Sequence, residues 1–254
     1  MFTTVAFSEI CEGTSEELCA AVPDSTHYTS GDDLMIGKYT KLIAMYASGH
    51  ALGDCRIVSP SLRTKADLYV SPFVNDLGGY APYFPRRIDY RGDCPLTLVT
   101  NEMLNVYTTS SEVSATQNRV ICIWLGEDVV KPVKGEIWTT SAYATGKTIA
   151  EKVWTAFELT WAQDLPVGRY QIVGVRCYMV NGGLFRFVPR DTANRPGGVC
   201  VHEKALVSDP IQRYGNLGVW LEFDSTLPPQ LEALPNAVAG ETEVYLRIDL
   251  IRVR

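Results

Sequence analysis

The sequence lacks paired cysteines. Its seven, Cys11, Cys19, Cys55, Cys94, Cys122, Cys177 and Cys200, are odd in number and form no Cys-x-x-Cys, which excludes a zinc finger and a dense disulfide scaffold. Cys122 and Cys177 lie inside apolar runs and read as buried thiols of a chain made in a reducing compartment. No apolar run reaches the roughly 18 residues that cross a bilayer. Met1-Phe2-Thr3-Thr4 carries no basic region of a secretory signal, so the chain is expected to be made without export. No Lys or Arg precedes Lys38 and the net charge is −6. A basic arm that neutralises phosphates is therefore missing, and direct nucleic-acid binding is not expected.

Reactive constellations are also missing. Ala144-Thr145-Gly146-Lys147-Thr148 has the end of a phosphate loop, but the glycine required five residues before Gly146 is Ser141; the segment reads as a polar turn between strands. His27, His50 and His202 are scattered, with no pair at metal-ligand spacing, and there is no Gly-x-Ser-x-Gly elbow. Arg91-Gly92-Asp93 spells an adhesion tripeptide, yet Gly92 reads as a turn residue. Asp89 and Asp224 occupy matching places in separate halves and read as loop caps or strand ends. These readings assign no catalytic, cofactor-binding or metal residues, and no cofactor. The chain is expected not to be an enzyme.

What is present is a repeat. Asp33-Leu34-Met35-Ile36-Gly37-Lys38-Tyr39 returns as Asp164-Leu165-Pro166-Val167-Gly168-Arg169-Tyr170, and both copies run into an apolar strand. Weaker matches keep the same order: Phe2-Thr3-Thr4 with Trp138-Thr139-Thr140, Arg56-Ile57-Val58 with Arg186-Phe187-Val188, and a closing strand at 119–125 with one at 243–253. A repeat of half the chain means two similar domains in tandem. They are expected at residues 1–128 and 136–254, joined by a short linker at 129–135 that holds them side by side. Gly37 and Gly168 should then share one backbone geometry.

Strand signals dominate. Val153 to Trp161 alternates with period two, Asn181-Gly182-Gly183 between apolar runs predicts a hairpin, and Arg190 to Gly198 reads as a polar loop. Further strands are expected at 66–74, along the proline-bearing 81–90 at an edge, and at 199–207. A capping box at Thr14–Glu17 predicts one or two helical turns through Ala21. The five tryptophans, Trp124, Trp138, Trp154, Trp161 and Trp220, read as core. Each half offers about eight strand candidates, the number of a jelly roll. The fold class is all-β: two tandem eight-stranded jelly-roll β-sandwiches related by internal duplication.

The second half resembles the C-terminal barrel of double jelly-roll major capsid proteins, in particular small members from bacterial viruses. The residues that carry the resemblance are 164–170, Arg195-Pro196-Gly197-Gly198, Gly218-Val219-Trp220, Pro228-Pro229 and Val244 to Leu250. The resemblance implies a viral structural protein whose homotrimers are pseudo-hexagonal capsomers of an icosahedral shell. The implied partners are neighbouring capsomers and minor capsid or vertex proteins, with an internal membrane beneath the shell as a further contact. The implied location is the virion, assembled in the host cytoplasm. The alternative is a two-domain carbohydrate-binding protein, which would be distinguished by a calcium cluster or an exposed aromatic platform.

Overall fold

The computed structural model describes residues 1–10, 14–49, 53–65, 68–73, 88–111, 113, 118–180, 182–200, 217–237 and 239–253. No helix occurs among them, and the strands build four antiparallel sheets. Sheet I runs Leu96–Thr97, Lys41–Ser48, Asn118–Gly126, Phe2–Ile10, Ala20–Ala21, with Ile88–Tyr90 also on Lys41–Ser48. Sheet II runs Tyr28–Ser30, Asp33–Met35, Met103–Thr108, Cys55–Val58, Leu68–Val70, with Glu17–Leu18 also on Met103–Thr108. Sheet III runs Thr160–Trp161, Trp138–Ala150, Ala239–Val253, Arg169–Met179, Leu221–Asp224. Sheet IV runs Thr155–Phe157, Gln230–Pro235, Gly183–Val188, Gly197–Cys200.

Alternation along the strands decides the packing. Val5, Phe7, Met45, Ile121, Ile123 and Leu125 of sheet I share one core with Leu34, Ile57, Val70, Leu104 and Val106 of sheet II. The residues between them, Phe2, Ala6, Ala44, Tyr46, Cys122 and Trp124, join a second core with sheets III and IV. Sheet I is thus buried on both faces, which is why its last strand is apolar without interruption from Val120 to Leu125. Sheet IV meets sheet I through three strands, Gly183–Val188, Gly197–Cys200 and Gln230–Pro235. The two halves are held together by this shared core.

Several local expectations are corrected. Residues 17–21 are not helical: they form Glu17–Leu18 and Ala20–Ala21, with the Cys19 N–H donating to the Val106 carbonyl at 2.8 Å and the Ala21 N–H to Gly31 at 2.9 Å. Tertiary partners for the backbone outweigh the capping box, which only a helix can use. The turn at Gly182-Gly183 exists, but its strands do not pair; Arg169–Met179 belongs to sheet III and Gly183–Val188 to sheet IV. Gly182 has φ +68° and Gly183 φ +142°, and a Cβ on Gly183 would collide with the Leu234 carbonyl, so the chain passes from sheet to sheet where only glycine fits. Asn181 lies outside the described residues.

The segment 144–148 is not a turn but a bulge inside Trp138–Ala150, with a register shift between Ala144 and Lys147 and Gly146 at φ +71°. Val153 to Trp161 is not one strand: Thr155–Phe157 pairs in sheet IV and Thr160–Trp161 in sheet III, and Val153 is exposed. Gly197 and Gly198, read as loop, begin an edge strand of sheet IV. Gly37 and Gly168 do not match: φ is +58° in one and +156° in the other. Of the strands expected at 66–74, 81–90 and 199–207, the described parts are Leu68–Val70, Ile88–Tyr90 and Gly197–Cys200. Residues 71–73 are described and lie outside any strand, apart from a single bridge between Phe73 and Ser48; the rest of these spans lies outside the described residues.

Candidate functional site

Among the described residues, those singled out from the sequence do not converge. Lys147 projects from the exposed bulge. Arg91 is paired with buried Asp89 at 2.7 Å, and a Cβ on Gly92 would collide with the Tyr90 hydroxyl, so crowding rather than a positive φ calls for glycine there. Asp224 ends its strand and accepts the Thr226 N–H at 2.9 Å and its hydroxyl at 2.7 Å, bonds that hold its carboxyl below the usual range. Cys122 and Cys177 are buried free thiols. Trp124 and Trp220 are buried, while Trp138, Trp154 and Trp161 are partly buried against the core. His50, His202 and Cys11 lie outside the described residues. Among the described residues no group of three or more His, Cys, Asp or Glu side chains could hold a metal ion.

Two arrangements stand out. The first is the junction of the halves. Phe2 stacks on Trp124 with centroids 4.1 Å apart, and Trp220 meets them edge-on at 5.3 and 5.2 Å, with Phe185 behind it at 6.3 Å. Around this cluster the Thr4 N–H donates to the Arg195 carbonyl at 2.8 Å, the Tyr39 hydroxyl to Asn194 Oδ1 at 2.7 Å and Asn236 Nδ2 to Ser48 Oγ at 2.9 Å. Arg186 is buried here. Its Nη1 donates to Asp24 of the first half, its Nε to Glu232 at 2.6 Å, and its guanidinium lies 4.1 Å from the Trp154 ring centroid. Burial pushes the Asp24 carboxyl up, but the Arg186 charge and the Thr26 hydrogen bonds together bring it below the usual range.

His27 sits beside this ion pair, buried, with Nδ1 2.8 Å from Thr26 Oγ1 and its ring 5.4 Å from that of Tyr39. Burial lowers its pKa; Asp24 draws it up and Arg186 pushes it down again. The folded protein therefore keeps His27 neutral at a pH where the unfolded chain, near its ordinary 6.5, takes up a proton. Stability should fall as pH drops through and below that value. Urea midpoints measured down the pH scale should decline more steeply in the native protein than in His27→Gln. Parallel slopes would refute this.

The second arrangement is the outer face of sheet III. Tyr143, Tyr245 and Tyr178 stand in register on three adjacent strands, with centroids 6.4 and 5.9 Å apart. The next row is Ser141, Arg247 and Arg176, also in register. The partners of these residues on the inner face, Val244, Leu246 and Ile248, are buried, whereas Tyr143 and Tyr245 are about two-fifths exposed. The closing strand at 243–253 was readable; the alignment of one tyrosine from each of three strands needs the register. Comparison with protein-family models, curated proteins and solved structures finds no match to this chain.

Proposed function

We propose that this chain is the major capsid protein of a virus, folded as two eight-stranded jelly rolls at residues 1–128 and 136–254, joined by 129–135 and related by internal duplication. The observation that carries the reading is the matching strand order of the halves. Sheet I sets the first strand, Phe2–Ile10, beside the last, Asn118–Gly126, and that beside Lys41–Ser48, which follows the first motif copy. Sheet III orders Trp138–Ala150, Ala239–Val253 and Arg169–Met179 likewise, with Arg169–Met179 beginning inside the second copy. Asp33–Met35, Met103–Thr108, Cys55–Val58 and Leu68–Val70 in sheet II parallel Thr155–Phe157, Gln230–Pro235, Gly183–Val188 and Gly197–Cys200 in sheet IV.

Fold alone does not choose a function. The capsid reading draws further support from the resemblance of the second half, from the rigidly shared core and from the acidic balance, which suits a shell that does not grip the genome. Three chains form a pseudo-hexagonal capsomer with no catalytic role. Neighbouring capsomers and minor capsid or vertex proteins surround it, in a virion assembled in the host cytoplasm, with an internal membrane beneath as a further contact. At low salt the repulsion between trimers, each three times −6, opposes their joining, and screening relieves it. Negative-stain images of concentrated protein should show separate trimers at low ionic strength and sheets or particles at higher salt or with divalent cations. Dispersed single chains at every salt concentration would contradict the proposal. The carbohydrate-binding alternative is favoured by one observation, the exposed tyrosine row.

A further inference from the structure

We infer that the outer face of sheet III binds an acidic saccharide, with Tyr143, Tyr245 and Tyr178 as the stacking platform and Arg247 with Arg176 as the fork for its anionic group. The inference rests on the face itself and holds whether or not the chain forms a shell.

The tyrosine row crosses two strand spacings, roughly 10 Å, the length of a short oligosaccharide and not of a single ring. Tyrosine offers an apolar ring for sugar C–H groups and a hydroxyl for their oxygens. Beside it, Arg247 and Arg176 occupy directly paired positions. Like charges placed opposite one another destabilise a sheet; buried Asp249 offsets this at Arg176, and an anion bound between the two guanidinium groups would offset it at both. A guanidinium fork matches a carboxylate or sulfate. Asp249 is fully buried, accepts the Thr139 hydroxyl at 2.7 Å and stands 3.9 Å from Arg176. It steadies one arginine from below and leaves Arg247 to an incoming group.

On the far side of the row Glu243 accepts the Tyr245 hydroxyl at 2.9 Å. A carboxylate there accepts from the hydroxyls that line a saccharide and that a peptide carries only on its Ser, Thr and Tyr side chains. A peptide also finds no backbone to pair with on Ala239–Val253, which has a neighbour on both sides. The charge of the face is complementary to an anion although the chain as a whole carries −6.

The test is titration calorimetry of the full chain at fixed salt with three probes: a sulfated heparin hexasaccharide, an oligogalacturonate and neutral cellohexaose. At least one acidic probe should bind, with cellohexaose at least about tenfold weaker, and the stronger acid identifies sulfate or carboxylate as the group held. Arg247→Gln and Tyr245→Ala, both exposed and checked for unchanged thermal unfolding, should each weaken the acidic probe by at least about tenfold. Failure of both acidic probes to bind overturns the inference. Binding unchanged in Arg247→Gln places the ligand elsewhere, and binding unchanged in Tyr245→Ala reduces it to charge alone; either result also overturns it. If no saccharide binds and Tyr245→Ala instead dissociates an oligomer of the chain, the face is a protein contact.

Discussion

Arg186→Met should destabilise the folded protein by about 3–5 kcal/mol, the cost of stranding a buried charge. The Arg186 and Asp24 side chains are 3% and 1% exposed, and the other contacts of Arg186, Glu232 and the Trp154 ring, cannot compensate Asp24. In the native protein burial raises the Asp24 pKa, and the Arg186 charge with the Thr26 bonds more than reverses that. Its contribution to stability is therefore present above the ordinary carboxylate value of 3.8 and is lost as pH falls through the lowered folded pKa. In Arg186→Met that depression disappears, so the variant should lose less of its stability on acidification than the native protein does. Arg186→Met combined with Asp24→Leu should recover much of the loss, since an apolar pair can replace a buried ion pair with little net cost. Urea unfolding of the native protein and the two variants measures this. A single variant within about 1 kcal/mol of the native protein would show that the charges are solvated and that the junction is looser than described.

Trp220→Ala should cost a comparable amount, about 3–5 kcal/mol, as expected for removing a fully buried indole. Trp220 is 0% exposed and is the residue of the second half that touches both Phe2 and Trp124 of the first. Trp124→Ala should behave similarly. Because the two indoles touch, the double variant should depart from additivity by about 0.5–3 kcal/mol. Additivity within about 0.3–0.5 kcal/mol would mean that the halves do not share a core through these rings.

The strand at 119–125 was legible because burial on both faces leaves no polar position from Val120 to Leu125. Cys122 and Cys177 were legible as buried thiols because each lies inside an apolar run. The capping box at Thr14 misled because Cys19 and Ala21 find their partners in Val106 and Gly31, far away in sequence. The Gly182-Gly183 signal reported a turn correctly, but turn chemistry says nothing about which sheet receives the next strand. Arg186 was read as the counterpart of Arg56. In the fold Arg56 is paired with Glu16 at 2.7 Å near the surface, while Arg186 enters the junction. An arginine inside the otherwise apolar run 184–188 was the available signal. The repeated motif located the strand that follows it in each half, yet its tyrosines serve different ends. The Tyr170 hydroxyl closes its own loop on the Pro166 carbonyl at 2.8 Å, whereas Tyr39 reaches across the junction to Asn194.

The proposed trimer is tested most directly by its mass in solution. Light scattering coupled to size exclusion at low ionic strength should give three times the 28.1 kDa of one chain, unchanged on dilution, as expected of an obligate assembly with a large apolar interface. A concentration-independent mass of 28.1 kDa would contradict it.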